Sequence, residues 1–299
     1  MGYLLAAVGC AVTFGLIQRA AQRQHRHYFV TTSTNYVVAT LVALTWVAAQ
    51  GHWQASPIVF WVGALNGIGF AVLIVLQFFM LGQRGVGVTY ALGSIALVAP
   101  ITLSLVVFNE QASVLMLAGV ALLVVAAPLI AYRRTPVQAA AKAGRYWAIV
   151  LALLAFTACT LISWKIVTEA TPSEDRGLFV TMTFAGAVAA SAVTLAVCRW
   201  SSGAALGRPM PRLSIPASLG VVPVPIAAGV VLGLCNVGNL WMFLNALNEI
   251  PGAVAFPVHM ASTVLLTAVA GTIIWRERHG PLAILGIAAA VIGLILVNV

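Results

Sequence analysis

A chain of 299 residues that is 62% hydrophobic and only 7% charged cannot coat a globule with water-facing side chains, because soluble domains carry about 25% charged residues. That excludes a soluble domain and indicates an integral membrane protein, in which apolar runs of about 20 residues read as spanning helices. The formal net charge of +9 lies in short loops between apolar runs, so it reads as a topology signal and contact with anionic headgroups, with no nucleic-acid partner expected.

By run length, spans are expected at about 2–20, 29–49, 57–81, 86–108, 112–132, 146–167, 178–199, 223–247, 251–275 and 281–298. Strand alternation is absent, against a transmembrane barrel. Met1–Gly15 lacks a basic flank, so no cleaved signal peptide is expected. The faint lipoprotein-like box at Ala7–Cys10 is set aside, and Ala6 removes the myristoylation signal. Cys10, Cys159, Cys198 and Cys235 lie in apolar runs without metal spacing and read as small buried residues.

The basic stretch Arg133–Arg145 divides the chain. The expected organisation is a five-helix repeat over 1–132, a basic cytoplasmic linker over 133–145 and a second five-helix repeat over 146–299. Glu110 and Glu277, Gly119 and Gly286, and Gly85 and Gly252 share one sequence offset, which supports a repeat. Five spans per half make the halves insert in opposite senses, as in many secondary transporters. Arg19, Arg23, Arg26, Arg84, Arg133, Arg134, Lys142, Arg145, Arg199, Arg208, Arg212, Arg276 and Arg278 all follow odd-numbered spans. Only Lys165 and Arg176 fall on the other side, so both termini are expected outside the cytoplasm.

Span three carries Asn66, and span four carries Tyr90 with Ser94 one turn on. Lys165, near the end of span six, reads either as a side chain that snorkels to the interface or as an anion contact in an outer vestibule. Span eight carries Asn236, Asn239, Asn245 and Asn248. Lipid cannot satisfy so many amides, so this helix should face protein or a watery cavity. Asn236 and Asn239 share one face, and Trp241 lies on another with an indole for stacking. In span nine Pro257 precedes His259, with Ser262 and Thr263 following on the histidine's face. An imidazole titrates near neutral pH and suits proton coupling. For each of these residues the competing reading is interhelical packing. Glu110 and Glu277 sit at helix junctions, where orphan amides stabilise a carboxylate, and read as structural.

These features resemble the drug/metabolite transporter superfamily in its EamA-like ten-span branch. The resemblance rests on Asn109-Glu110 followed by Gly119, and on Glu277-Arg278 followed by Gly286 and Gly293. GNLWMFLNAL at 238–247 and Val254–Val258 add to it. GALNGIGF at 63–70 and LGQRGVGVTYALG at 81–93 also look like the glucose/ribose and rhamnose porter groups. Two features depart from the family's pattern: the loop Gln50–Ser56 has no basic residue, and Glu110 has no basic neighbour. The resemblance implies an all-α membrane protein of about ten helices in two inverted five-helix repeats.

The expected function is ATP-independent transport of a small polar solute by alternating access across a bacterial inner membrane, by a monomer or homodimer in membrane lipid. No catalytic residues, metal or cofactor are expected. The solute would meet Asn66, Tyr90, Ser94, Asn236, Asn239, Trp241, His259, Ser262 and Thr263 in a cavity between spans three, four, eight and nine, with a proton at His259 or a sodium ion as coupling partner. The alternatives are a membrane enzyme acting on a lipid-linked substrate, for which only Glu169, Glu174 and Asp175 approach paired acids, and a non-transporting scaffold.

Overall fold

The computed structural model describes residues 1–23, 28–108, 113–131, 140–203, 223–276 and 280–297. Among them all regular structure is helical: α1 (Gly2–Arg23), α2 (Tyr28–Gln50), α3 (Pro57–Arg84), α4 (Val86–Ser94), α5 (Val98–Val106), α6 (Val114–Ala131), α7 (Ala140–Ala170), α8 (Arg176–Gly203), α9 (Pro223–Glu249), α10 (Gly252–Trp275) and α11 (Pro281–Val297). The junction residues Glu110 and Glu277 lie outside the described residues.

Several helix ends follow from local chemistry. Proline opens α3, α9 and α11, where its missing N–H would have no partner in any case. Gly85 stops α3 with a φ of 82°, its N–H returning to the Leu81 carbonyl. Arg276 closes α10 in the left-handed region with a φ of 53°. Between α4 and α5 the turn Ile95–Leu97 tightens to a 3-10 helix. Pro100 lies just inside α5 and cannot donate to the Ala96 carbonyl, which breaks the regular ladder there. The expected single span four is therefore two short helices around a tight turn.

Among the described residues, eight helical stretches are long and apolar enough to cross a membrane: those in α1, α2, α3, α4–α5, α7, α8, α9 and α10. Helices α6 and α11 carry shorter apolar stretches, Leu117–Ala126 and Ile284–Gly293. The distribution of side chains is that of a multi-pass membrane protein. Leu5, Leu151 and Ile273 lie on the outside, whereas Asn35, Asn66, Lys165 and Arg176 are buried. Trp46, Trp53 and Trp61 are exposed at one end of the bundle and Trp147 at the other, the placement that suits amphipathic rings at two interfaces.

Helix α3 lies along α8, and α9 lies along both α1 and α2. Helix α2 also meets α8, and α7 joins α3 to α5. Helix α10 touches α1, α4, α5 and α11, while α6 pairs with α11. Two of these seams are glycine-built. A methyl group on Gly67 would meet the Ala187 N at 2.8 Å and the Gly186 Cα at 2.9 Å. A methyl group on Gly233 would meet the Asn35 carbonyl oxygen at 2.7 Å. Without a hydrophobic drive between helices in lipid, such close backbone approach supplies the packing. A chain of rings, Phe184–Phe70–Trp164–Phe243–Phe256, crosses the middle of the bundle at centroid spacings of 5.9, 6.4, 5.4 and 5.0 Å.

Candidate functional site

Beside this aromatic chain lies a cavity of about 120 Å³, enough for several water molecules. Its wall is drawn from α1, α2, α3, α4, α7, α9 and α10. Ala11, Phe14, Phe70, Leu73, Ile74, Leu153, Leu161 and Met260 make most of it apolar. Polar groups converge from Tyr36, Gln77, Thr89, Tyr90, Thr157, Thr160, Trp164, Asn236, Asn239, His259 and Thr263. A mainly apolar wall with a few placed polar groups is the usual build of a small-molecule site.

The best-defined polar contact joins α9 to α10. His259 Nε2 lies 2.9 Å from Asn239 Oδ1. The ring also lies 4.7 Å from that of Phe243, tilted by 55°. An amide meets either state of an imidazole, offering its oxygen to a ring N–H or its N–H to a bare ring nitrogen. Asn236 donates to Asn35 Oδ1 of α2 at 3.3 Å. The phenol of Tyr36 donates to the Phe70 carbonyl at 2.7 Å and fixes that part of the wall.

The expected residues divide between the cavity and the helix seams. Tyr90, Asn236, Asn239, His259 and Thr263 line the cavity. Tyr90 lies flat against α1, where a methyl group on Gly15 would meet its hydroxyl at 2.8 Å. Asn66 does not line it: its amide donates to Thr183 Oγ1 at 3.4 Å in the α3–α8 seam. Trp241 is also off the cavity, because its side of α9 faces α2, where it packs edge-on with Trp46 at 5.0 Å. Ser94 is buried with a partner of its own, Ser262 is half-buried, and neither reaches the cavity wall. Pro257 is buried in the first turns of α10, away from the wall. Lys165 does not snorkel: its side chain is 1% exposed.

Thr160 and Trp164 of α7 are wall residues that the sequence reading passed over. Both are buried, and Thr160 Oγ1 and Trp164 Nε1 have no hydrogen-bond partner. Threonines elsewhere in these helices return their hydroxyl to the carbonyl one turn back, as Thr89, Thr157 and Thr263 do. Thr160 does not, so its hydroxyl is available to whatever fills the cavity. Their signal was the one-turn spacing between them, which places both on one face of α7. Among the described residues no group of three or more His, Cys, Asp or Glu side chains is placed to hold a metal ion.

The chain matches no protein-family model and no curated protein. It is similar over 100% of its length to 98% of a solved chain described only as "Crystal structure of protein", at 15% identity and a TM-score of 0.62. At that identity the likeness is one of fold: this arrangement of helices also occurs in a solved structure of nearly the same extent.

Proposed function

We propose that this protein is a secondary, ATP-independent transporter of a small polar solute, of the drug/metabolite transporter type. The observation that carries the reading is the cavity, mostly apolar but set with unpartnered or adaptable polar groups, and walled by helices from both halves of the chain.

The packing supports a repeat of 1–132 in 146–299 about the linker 133–145. With α1 matched to α7, α2 to α8, α3 to α9, α4–α5 to α10 and α6 to α11, the seams pair off. The α1–α9 seam answers to α7–α3, α2–α9 to α8–α3, and α1–α10 to α7 with α4 and α5. Helices α2 and α8, and α6 and α11, meet as mutual partners. Gly229 and Gly233 stand as far after Gly63 and Gly67 as Pro223 does after Pro57, and both glycine pairs face a close neighbour. Ten spans in two inverted halves, rocking about these seams, would expose the cavity to each side in turn. The charge bias supports both termini lying outside the cytoplasm, and the membrane of this reading is a bacterial inner membrane.

His259 is the proposed proton-coupling group, since Asn239 accommodates both of its protonation states. The test begins with a thermal-shift screen of sugars, amino acids and drug-like amines on the purified protein. It continues with uptake and counterflow of the hits in proteoliposomes. Saturable counterflow is expected, and hits that bind without moving would overturn the transporter reading. His259→Ala is expected to abolish uptake driven by a pH gradient while counterflow persists. Unchanged gradient-driven uptake would remove His259 from the coupling role.

A further inference from the structure

Polar contacts fasten helices together at one end of the bundle. The Met1 ammonium pairs with Glu249 Oε2 at 3.3 Å and brings the start of α1 to the end of α9. Helix α2 runs back from the far end of α1 and closes at this same end. Here the Asp175 carboxylate joins the α2–α3 loop to the start of α8. Its Oδ1 lies 3.1 Å from His52 Nε2, and its Oδ2 accepts the Ser56 N–H at 3.2 Å. Glu174 Oε2 brings a second acid 4.0 Å from His52 Nδ1. Ser56 directly precedes α3 and Asp175 directly precedes α8, so the positive ends of two helices meet at one carboxylate. Asp175 is buried, whereas the His52 side chain is 34% exposed at the rim.

Beneath this bridge the packing is tight. A methyl group on Gly177, in the first turn of α8, would meet Val47 Cγ2 at 3.0 Å, with Trp46 Cδ1 and Trp241 Cζ3 at 3.8 Å. The next layer is the chain of rings, in which Trp164, Phe243 and Phe256 lie one turn in from this end of α7, α9 and α10. The cavity begins at that layer, with Trp164 in its wall. Among the described residues, the turns of α1, α2, α3, α7, α9 and α10 nearest the Met1 end contribute nothing to the wall. At the opposite end, where Arg23 closes α1 and Arg84 closes α3, the first turn of α4 supplies Thr89 to it. The cavity is therefore set toward the basic end, the side that the charge bias supports as cytoplasmic. Bridge, packed turn and rings lie between it and the Met1 side.

A bridge at the rim can be broken and remade. Water already reaches His52, so parting it from Asp175 exchanges one set of polar partners for another. The same pair at mid-bilayer would leave a buried carboxylate unserved on opening. On the repeat reading, His52 and Ser56 belong to the first half and Asp175 to the second, so the bridge fastens the halves on this side.

We propose that the His52–Asp175 bridge is the gate of the cavity on the Met1 side, and that it parts before solute passes there. This rests on the transporter reading above and names residues that its alternating access uses.

Two measurements test the gate. In the first, the wall residue Met260 is replaced (Met260→Cys), and a membrane-impermeant methanethiosulfonate is added to oriented vesicles from one side at a time. Labelling at position 260 is read by mass spectrometry, apart from the native cysteines. It is expected to be faster from the Arg23 side, and His52→Ala or Asp175→Asn is expected to raise it severalfold from the Met1 side. In the second, His52→Cys/Asp175→Cys is bridged with ethane-1,2-diyl bismethanethiosulfonate, with the unsubstituted protein and each single variant treated alike. The bridge is expected to stop flux of the solutes found in the screen, and dithiothreitol to restore it. Should Asp175→Asn fail to fold, His52→Ala and the cross-link decide. Met1-side labelling that His52→Ala leaves unchanged overturns the proposal. Saturable flux that persists through the cross-link sinks the gate and leaves the transporter reading standing. Absence of flux in the unsubstituted protein sinks the transporter reading, and the gate with it, before any cross-link is made.

Discussion

Replacing Thr160 with Val exchanges a hydroxyl for a methyl group of nearly the same size in the cavity wall. Helix propensity barely changes, since both residues are β-branched. The outcome therefore reports what surrounds Oγ1, which is buried and makes no bond to protein. If water or solute fills the cavity, the hydroxyl has a partner there, and losing it costs about 0.5–1.5 kcal/mol. For a solute touching that hydroxyl, about 1 kcal/mol is about a fivefold loss of affinity. If the space is dry, the hydroxyl is desolvated without compensation, and Val stabilises the fold by about 1–3 kcal/mol. The two cases differ in sign. We expect Thr160→Val to lower stability slightly in mixed-micelle unfolding and to raise the KM for uptake about fivefold. A variant stabilised by more than about 1 kcal/mol, with uptake unchanged, would show a dry void and refute the wet cavity.

Gly67→Ala is expected to destabilise, because the new methyl group meets backbone of α8 at 2.8 and 2.9 Å rather than a flexible side chain. Overpacking of this kind costs about 1–3 kcal/mol, against a gain of about 1 kcal/mol in helix propensity. Gly233→Ala in the answering α9–α2 seam should behave alike in the same unfolding assay. A neutral Gly67→Ala would refute the tight seam. Trp241→Phe should leave solute affinity unchanged in binding titrations and lower stability by about 0.5–1.5 kcal/mol through its contact with Trp46. Lost affinity with an intact fold would return Trp241 to the site.

The membrane class was legible because apolar run length alone decides it, and the eight long helices fall where the runs do. What one dimension could not carry was the direction each helix face points. Asn66 and Asn236 read alike in sequence, yet one bonds across the α3–α8 seam and the other reaches the cavity. Asn239 and His259 each stood out as polar, but their contact joins two helices and has no local signature. Lys165 lies near enough to the end of α7 to snorkel in principle. Its burial follows from where α5 and α10 close over it, which no spacing within α7 encodes. The break before α5 had a visible cause in Pro100, but apolar flanks on both sides let one span be read through it.

The two halves also furnish the cavity unequally, and that bears on what fits inside. Counting from Pro57 in α3 and Pro223 in α9, Phe70 and Leu73 occupy the positions of Asn236 and Asn239, and all four side chains line the cavity. On the transporter reading, matched positions in the frame thus set an apolar wall opposite an amide wall. A fully polar solute would leave Phe70 and Leu73 facing water or polar atoms. A fully apolar one would strip Asn236, Asn239 and His259 of partners, at about 1–3 kcal/mol for each group left unserved. The arrangement therefore favours an amphiphilic solute held in one orientation, with its polar groups toward α9 and α10.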